Sequence, residues 1–138
     1  MNSPPARVEV VTSFVVRGNK ILLLRRSDRV GTYRGKWAGV SGFLEGDAPI
    51  DRAVTEIREE LGIGEAAVTL EAVGEPHPVD DDATGRQWLV HPFRFALSGD
   101  SEIRLDWEHI DMRWIDEEML SSMDTVPGLR RAWELVRR

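Results

Sequence analysis

Residues 49–62 have the sequence PIDRAVTEIREELG, which predicts one amphipathic helix. The apolar side chains recur at helical spacing and form a single stripe, made of Ile50, Ala53, Val54, Ile57 and Leu61. Gly62 follows this stripe, at the position where many helices end in the left-handed conformation. The pattern therefore predicts a helix over residues 49–61 with one face packed on a core.

Three glutamates lie on the other side of this helix. Glu56, Glu59 and Glu60 occupy positions i, i+3 and i+4, so their carboxylates are neighbours. Like charges at this spacing repel by about 0.2–0.5 kcal/mol per pair, and a divalent cation would relieve that repulsion. Carboxylate ligands suit Mg²⁺ or Mn²⁺ better than zinc. An acidic, solvated helix face is the alternative interpretation, and the three glutamates alone do not distinguish the two.

The rest of the chain predicts strands around this helix. The expected strands are Val8–Val16, Lys20–Leu24, Trp37–Val40, Val68–Val73, Gln87–Leu97 and Met112–Ile115. The first two flank a Gly18-Asn19 turn and predict a hairpin. Loops are expected at Ser41–Asp47 and at the acidic run Asp80–Asp82, a short helix at Asp116–Met123, and a closing helix through Arg138. This order of elements predicts an α/β domain with a mixed sheet.

Length and composition restrict the classes of function. The 138 residues predict a single domain, residues 1–138, with residues 1–6 as a loose tail. The absence of cysteine excludes disulfide scaffolds, thiolate metal sites and cysteine nucleophiles. A net charge of −6 disfavours nucleic acid polymers as partners, and no apolar run is long enough to span a membrane. We therefore expect a cytoplasmic protein with a small-molecule partner. The sequence leaves open whether the protein forms a homodimer.

The segment from Gly42 to Ile63 resembles the signature of the Nudix hydrolases, a MutT-like family. That signature consists of Gly, five residues, Glu, seven residues, Arg-Glu, an aliphatic residue, any residue, Glu-Glu, any residue, Gly and an aliphatic residue. The resemblance implies an α/β/α sandwich around a mixed sheet. It also implies an Mg²⁺- or Mn²⁺-dependent pyrophosphatase that cleaves the diphosphate bond of a nucleoside diphosphate linked to another moiety X.

The same resemblance implies roles for the glutamates. Glu56, Glu59 and Glu60 match the family's catalytic and metal-binding positions, with Glu56 as the first choice for the general base. Family members often recruit another carboxylate from a later loop. The candidates here are Asp80, Asp81, Asp82, Glu102, Asp106 and Glu108, and the sequence does not choose among them.

Three departures from the signature bear on activity. The loop after Gly42 is one residue short, Asp47 stands where the family has Glu, and Thr55 stands where it has Arg. Arg52 lies four residues before Glu56 and could replace the missing arginine's contact. A catalytically weak Nudix-fold module that binds or regulates is therefore the main alternative. A small interaction domain with an accidental acidic helix is a third interpretation.

Residues 25–36 form a basic, glycine-containing loop that could bind an anionic substrate. Its candidate substrate-binding residues, together with the glycine of the signature, are Arg25, Arg26, Arg34, Lys36 and Gly42. Ordinary surface charge is an equally good interpretation of the cluster. Aromatic residues could stack on a base or sugar, namely Tyr33, Trp37 and Trp88, although core packing is favoured for both tryptophans. His77, His91 and His109 show no ligand spacing and receive no role.

A narrower resemblance rests on two further runs. Residues 26–42 and Trp107-Glu108-His109 are similar to Nudix domains joined to initiation-factor-2B-like proteins. That similarity implies that Thr55 and the short loop are features of a subgroup.

Overall fold

The computed structural model describes residues 6–138, which contain eight strands, two α-helices and two short 3-10 helices. The strands are β1 Ala6–Arg17, β2 Lys20–Arg26, β3 Trp37–Ala38, β4 Val40–Phe43, β5 Val68–Val73, β6 His77–Asp81, β7 Arg86–Leu97 and β8 His109–Ile115. The helices are α1 Pro49–Leu61 and α2 Leu129–Val136, and the 3-10 helices are Glu65–Ala67 and Glu117–Ser122. Most of the expected N-terminal tail lies outside the described residues, and Ala6 already belongs to β1.

The sheet is mixed, as predicted, and is built around a parallel pair. β1 and β7 run side by side from the pair Ala6–Arg86 to the pair Val16–Ala96. The other edge of β1 pairs with β4 and with the start of β2, whereas the other edge of β7 pairs with β5 and β6. β2 extends the sheet through antiparallel pairing with β3 and β8.

Each face of the sheet carries a hydrophobic core, because side chains alternate along the central strands and both faces are packed against helices. Val11 and Val15 of β1 pack in a core with Ile57 and Leu61 of α1. The intervening Phe14 packs in a second core on the opposite face, together with the residues of α2. The α/β/α sandwich expected from the sequence is therefore confirmed.

The local signals around α1 are confirmed in detail. Pro49 occupies the first turn, and Gly62 has φ 68° and donates its N–H to the Arg58 carbonyl at 3.0 Å. The predicted hairpin also forms, with Gly18 at φ 60° and Arg17 paired with Lys20. No helix among residues 6–138 has the length and apolar character needed to cross a bilayer.

Several predicted boundaries are wrong. The expected Ser41–Asp47 loop begins later, because residues 41–43 belong to β4. Asp80 and Asp81 lie in β6, which pairs with β7 and tolerates a proline because edge strands need fewer N–H donors. The expected helix at Asp116–Met123 is a 3-10 helix of six residues, and the closing helix ends at Val136.

Candidate active site

A cavity of about 650 Å³ opens between β4, α1 and the loop of residues 27–36. Its carboxylates come from α1 and from the segments before α1 and β8, namely Glu45, Glu56, Glu59 and Glu108. Its aromatic side chains are Tyr33, Phe43, Trp88 and Trp107, and its arginines are Arg26, Arg52 and Arg86. The cavity therefore combines groups that bind cations, anions and flat ring systems.

Gly42 lines this cavity and makes room for Glu56. It lies in β4, paired with Val11, and a Cβ built on it would overlap the carboxyl group of Glu56. Only glycine therefore lets α1 place Glu56 this close to the strand. Glu56 is largely buried as a result, although its carboxylate still reaches the cavity.

Arg52 holds Glu56 from the preceding helical turn. Its Nη1 lies 3.3 Å from Glu56 Oε1, and its Nη2 contacts Asp47 at 2.9 Å and Glu45 at 3.2 Å. Burial opposes the charge, but hydrogen bonds to Asp47 and Glu56 raise the pKa of Arg52 above its usual value. The contact that Thr55 cannot make is thus made by Arg52, and Asp47 orients that arginine.

Glu60 is the most buried of the three glutamates. The alternative interpretation of an acidic, solvated helix face is wrong for Glu60 and for Glu56, whereas Glu59 is exposed. The Arg104 N–H bonds the Leu61 carbonyl at the end of α1, and a few residues later His109 lies beside Glu60. Burial, contact with Glu56 and nearby negative charges together raise the pKa of Glu60 well above its usual value.

His109 and two acidic residues before β8 complete this acidic cluster. His109 Nε2 lies 3.4 Å from Glu60 Oε1, and His109 Nδ1 lies 3.3 Å from Asp106. Burial and the negative charges of Asp106 and Glu56 raise the pKa of Glu108. The sequence left several carboxylates from later loops as candidates for the site. Of these, Asp106 and Glu108 lie beside Glu60. Sequence reasoning gave His109 no role, and the only signal was its place in the Trp107-Glu108-His109 run.

The other late carboxylates with described contacts are engaged elsewhere. Asp81 accepts a hydrogen bond from the Tyr33 hydroxyl and another from Thr84 at 2.8 Å, and Asp80 accepts one from Gln87 at 2.9 Å. The Tyr33 bond is the main reason that the pKa of Asp81 is lowered. Asp81 therefore anchors the loop that carries Tyr33.

The predicted basic loop begins later than expected, because Arg25 and Arg26 belong to β2, whose pairing with β3 and β8 continues to these residues. Of the four predicted basic residues, one contributes directly to the cavity. Arg26 lines the cavity and donates a hydrogen bond to the Thr32 carbonyl at 2.9 Å. Burial lowers the pKa of Arg26, although the negative charges of Glu108 and Glu60 act in the opposite direction. The other predicted residues shape the loop itself. Arg25 bonds the Gly35 carbonyl at 3.0 Å, Arg34 bonds the Val30 carbonyl at 2.8 Å, and Lys36 pairs with Asp124 at 2.7 Å.

Two of the candidate stacking residues line the cavity. Trp88 Nε1 donates to the Tyr33 hydroxyl at 2.8 Å, and Arg86 lies over the Trp88 ring at 5.4 Å. Trp88 also packs against the half-exposed Phe43, with ring centroids 6.1 Å apart. Trp88 thus serves the core and the cavity together, whereas Trp37 is buried in the core beside α2.

The acidic residues suit a divalent cation. In the part of the chain that the structure describes, Glu60 Oε2 is buried and has no hydrogen-bond partner. A buried polar atom without a partner costs about 1–3 kcal/mol, so such an atom normally has a protein, water or ion partner. Oxygen donors from Glu56, Glu59, Glu60 and Glu108 are of the kind that Mg²⁺ and Mn²⁺ prefer.

Comparison with known proteins assigns this chain to a family. The family model described as the NUDIX domain matches residues 6–135. The nucleoside triphosphatase NudI of Enterobacter sp. (strain 638) is 25% identical over 125 residues, which cover 83% of this chain and 86% of that protein.

Solved structures show the same fold. An Ap4A hydrolase binary complex from C. elegans superposes with a TM-score of 0.77 at 18% identity, covering 92% of this chain and 93% of that one. A MutT protein from Methanosarcina mazei Go1 gives a TM-score of 0.76 at 23% identity, covering 96% and 94%. The chain therefore belongs to the Nudix family and is a hydrolase of the pyrophosphatase type.

Proposed function

We propose that this protein hydrolyses the diphosphate bond of a nucleoside diphosphate linked to another moiety X, with Mg²⁺ or Mn²⁺ as its cofactor. One observation carries the proposal. Glu56 and Glu59 of α1, together with Arg26 and Trp88, line the same cavity of about 650 Å³. Such a lining suits a ligand that joins an anionic group to a flat base.

The acidic groups would bind the end of the substrate at which the bond is cleaved. Glu56, Glu59 and Glu60, joined by Glu108, are the residues that would hold the cation. When bound, the cation supplies charge neutralisation at the phosphates and lowers the pKa of water. Glu56 is the proposed general base because Arg52 and Gly42 fix its carboxylate at the cavity.

The remaining lining residues would bind the rest of the substrate. Arg26 offers a guanidinium group within the cavity, and guanidinium groups bind phosphate in two-point contacts. Tyr33 holds the nearly buried ring of Trp88, and Arg86 covers it, so a base would meet a wall of fixed side chains that includes the Arg86 guanidinium. Roles for Arg25, Arg34 and Lys36 in substrate binding stay predictions. Because these residues contact the loop itself, they would act by shaping the loop around Arg26.

The alternative of a catalytically weak binding module rested on Thr55, Asp47 and the short loop. Asp47 contacts Arg52, which contacts Glu56, and this supports a Glu56 carboxylate held in position despite these departures. Hydrolysis is therefore the better proposal. The similarity to Nudix domains joined to initiation-factor-2B-like proteins, the cytoplasmic location and the homodimer all stay predictions.

A hydrolysis screen tests the proposal. Nucleotide sugars, dinucleotides, ADP-ribose and modified nucleoside triphosphates are incubated with the protein, with Mg²⁺, with Mn²⁺ and with EDTA. We expect turnover of at least one class with metal, and a loss of about 10²–10⁴-fold in Glu56→Gln. Glu65→Gln removes the same charge from the exposed 3-10 helix after α1 and should keep full turnover. A screen without turnover, or an unimpaired Glu56→Gln protein, would contradict the proposal.

A further inference from the structure

A buried three-residue cluster lies behind the exposed carboxylates of the cavity. Glu60, Glu108 and His109 each offer one ligand atom, and these atoms lie within 4.8 Å of one another. The side chains of Glu60 and His109 are both only 2% exposed. Acidic clusters on surfaces are common and need no ion, but here the carboxylate is buried and its Oε2 has no hydrogen-bond partner among residues 6–138.

The orientation of His109 makes its second ring nitrogen a ligand atom. Asp106 Oδ1 faces His109 Nδ1 at 3.3 Å and also accepts the N–H of Glu108 at 3.1 Å. A carboxylate accepts hydrogen bonds, so Nδ1 carries the proton and Nε2 of the neutral ring carries a lone pair. Histidines that bind metals usually donate their other N–H to a carboxylate in this way.

The second ring nitrogen of His109 lies close to another electron-rich atom. Nε2 lies 3.4 Å from Glu60 Oε1, in a place that solvent does not reach. Two such atoms repel each other unless a proton or a metal cation lies between them, and a metal ion would also give Glu60 Oε2 its missing partner. Their separation is also close to that of two adjacent ligands on one ion, since ligand bonds are about 2.0–2.2 Å long.

We propose that His109 is a metal ligand, and that with Glu60 and Glu108 it binds a first-row transition-metal ion such as Mn²⁺. The inference rests on the proposed role of Glu60 as a metal ligand. Imidazole nitrogen is a softer donor than carboxylate oxygen, and Mg²⁺ strongly prefers oxygen. The position therefore favours Mn²⁺ over Mg²⁺, and removing the imidazole removes that preference.

Pulsed electron paramagnetic resonance of bound Mn²⁺ tests the inference without relying on turnover. Protein containing ¹⁵N-labelled histidine is compared with unlabelled protein, each with one equivalent of Mn²⁺. We expect nitrogen modulation that changes with the label, which identifies a histidine ligand in the unmutated protein. We also expect the modulation to vanish in His109→Gln, with Mn²⁺ affinity lowered by at least about tenfold.

A matched histidine provides the control. His91 also lies beside a glutamate, with Nε2 3.0 Å from Glu9, so His91→Gln should keep the modulation and the affinity. Mn²⁺ bound without histidine modulation would overturn the inference and reduce His109 to a hydrogen-bonding neighbour of Glu60. Modulation that survives in His109→Gln would overturn it as well.

The inference and the proposed function fail separately. Hydrolysis that depends on metal, together with Mn²⁺ that shows no histidine nitrogen, refutes only the role of His109. Histidine modulation that depends on His109, in a protein that cleaves no diphosphate, supports the ligand and refutes the proposed function.

Discussion

Replacing Glu60 with glutamine should stabilise the protein when metal is removed. Glu60 is 1% exposed, its Oε2 has no partner within residues 6–138, and its neighbours include the acidic Glu56 and Glu108. Glutamine keeps the volume, removes the charge, and can donate an N–H toward His109 Nε2. The carboxylate is therefore a destabilising group whose removal the fold should tolerate.

The size of the effect depends on pH. The pKa of Glu60 is raised above its usual value of 4.5 in the folded protein. Protonated Glu60 therefore stabilises the fold below about pH 4.5, and this contribution is lost as the pH rises toward the raised pKa. Each pH unit in that interval costs the wild-type protein about 1.4 kcal/mol. Leaving one buried polar group unpaired costs about 1–3 kcal/mol, and more when the group is charged, so we expect a total of at least this order.

Thermal melts in EDTA between pH 5 and pH 8 measure this difference. For a chain of 138 residues, 1 kcal/mol corresponds to about 3–4 °C in Tm, so we expect a gain of about 3–10 °C at pH 8 and little gain at pH 5. Glu59→Gln changes the same charge at an exposed neighbour and should move Tm by no more than about 2 °C. A Glu60→Gln protein that melts below the wild type in EDTA at pH 8 would refute this reasoning.

Three further substitutions test the positioning of the site. Arg52→Ala should lower turnover about 10²-fold, because Glu56 loses the contact that orients it, and steady-state kinetics would show this. Gly42→Ala should lower turnover and metal affinity together, since its Cβ would displace Glu56, and calorimetry would show the affinity. Tyr33→Phe should raise the pKa of Asp81 toward its usual value, measurable by NMR titration. Since a lowered acid pKa stabilises the fold at pH values above that pKa, Tyr33→Phe should reduce stability more at pH 7 than at pH 2. The lost acceptor of Trp88 Nε1 reduces stability at both pH values.

Controls on the same elements separate these effects from general damage. Arg58→Ala removes an exposed arginine from α1 and should leave turnover unchanged, and Gly64→Ala meets open space. Thr55→Arg should partly rescue Arg52→Ala by restoring the family's arginine. Turnover unaffected by Arg52→Ala would mean that another group orients Glu56. A Gly42→Ala protein with full activity would contradict the close approach of β4 and α1.

The parts of the fold that local rules govern were predictable from the sequence. The apolar stripe of α1 depends on spacing within one segment, and Gly62 ends the helix where a left-handed residue was expected. The contact between Arg52 and Glu56 was also within reach, because residues four apart on a helix are neighbours. Its importance became clear only through Asp47, which holds the arginine in place.

The burial of the acidic cluster could not be predicted in the same way. It depends on the segment of residues 104–109 crossing the end of α1, more than forty residues away in sequence. No periodic pattern in that segment predicts the contact between His109 and Glu60. β6 was missed for a related reason, since Pro78 and the run of aspartates argue against a strand until β7 provides the pairing edge.

The most direct test of the central claim is ³¹P NMR of a hydrolysis reaction run in H₂¹⁸O. The substrate is the most active compound of the screen, with wild-type and Glu56→Gln proteins, each with Mn²⁺ or with EDTA. We predict that the wild type with Mn²⁺ converts the diphosphate signals into those of two separate phosphate products, one of which carries one ¹⁸O per bond cleaved. Cleavage that proceeds equally in EDTA, or equally in Glu56→Gln, would contradict the account.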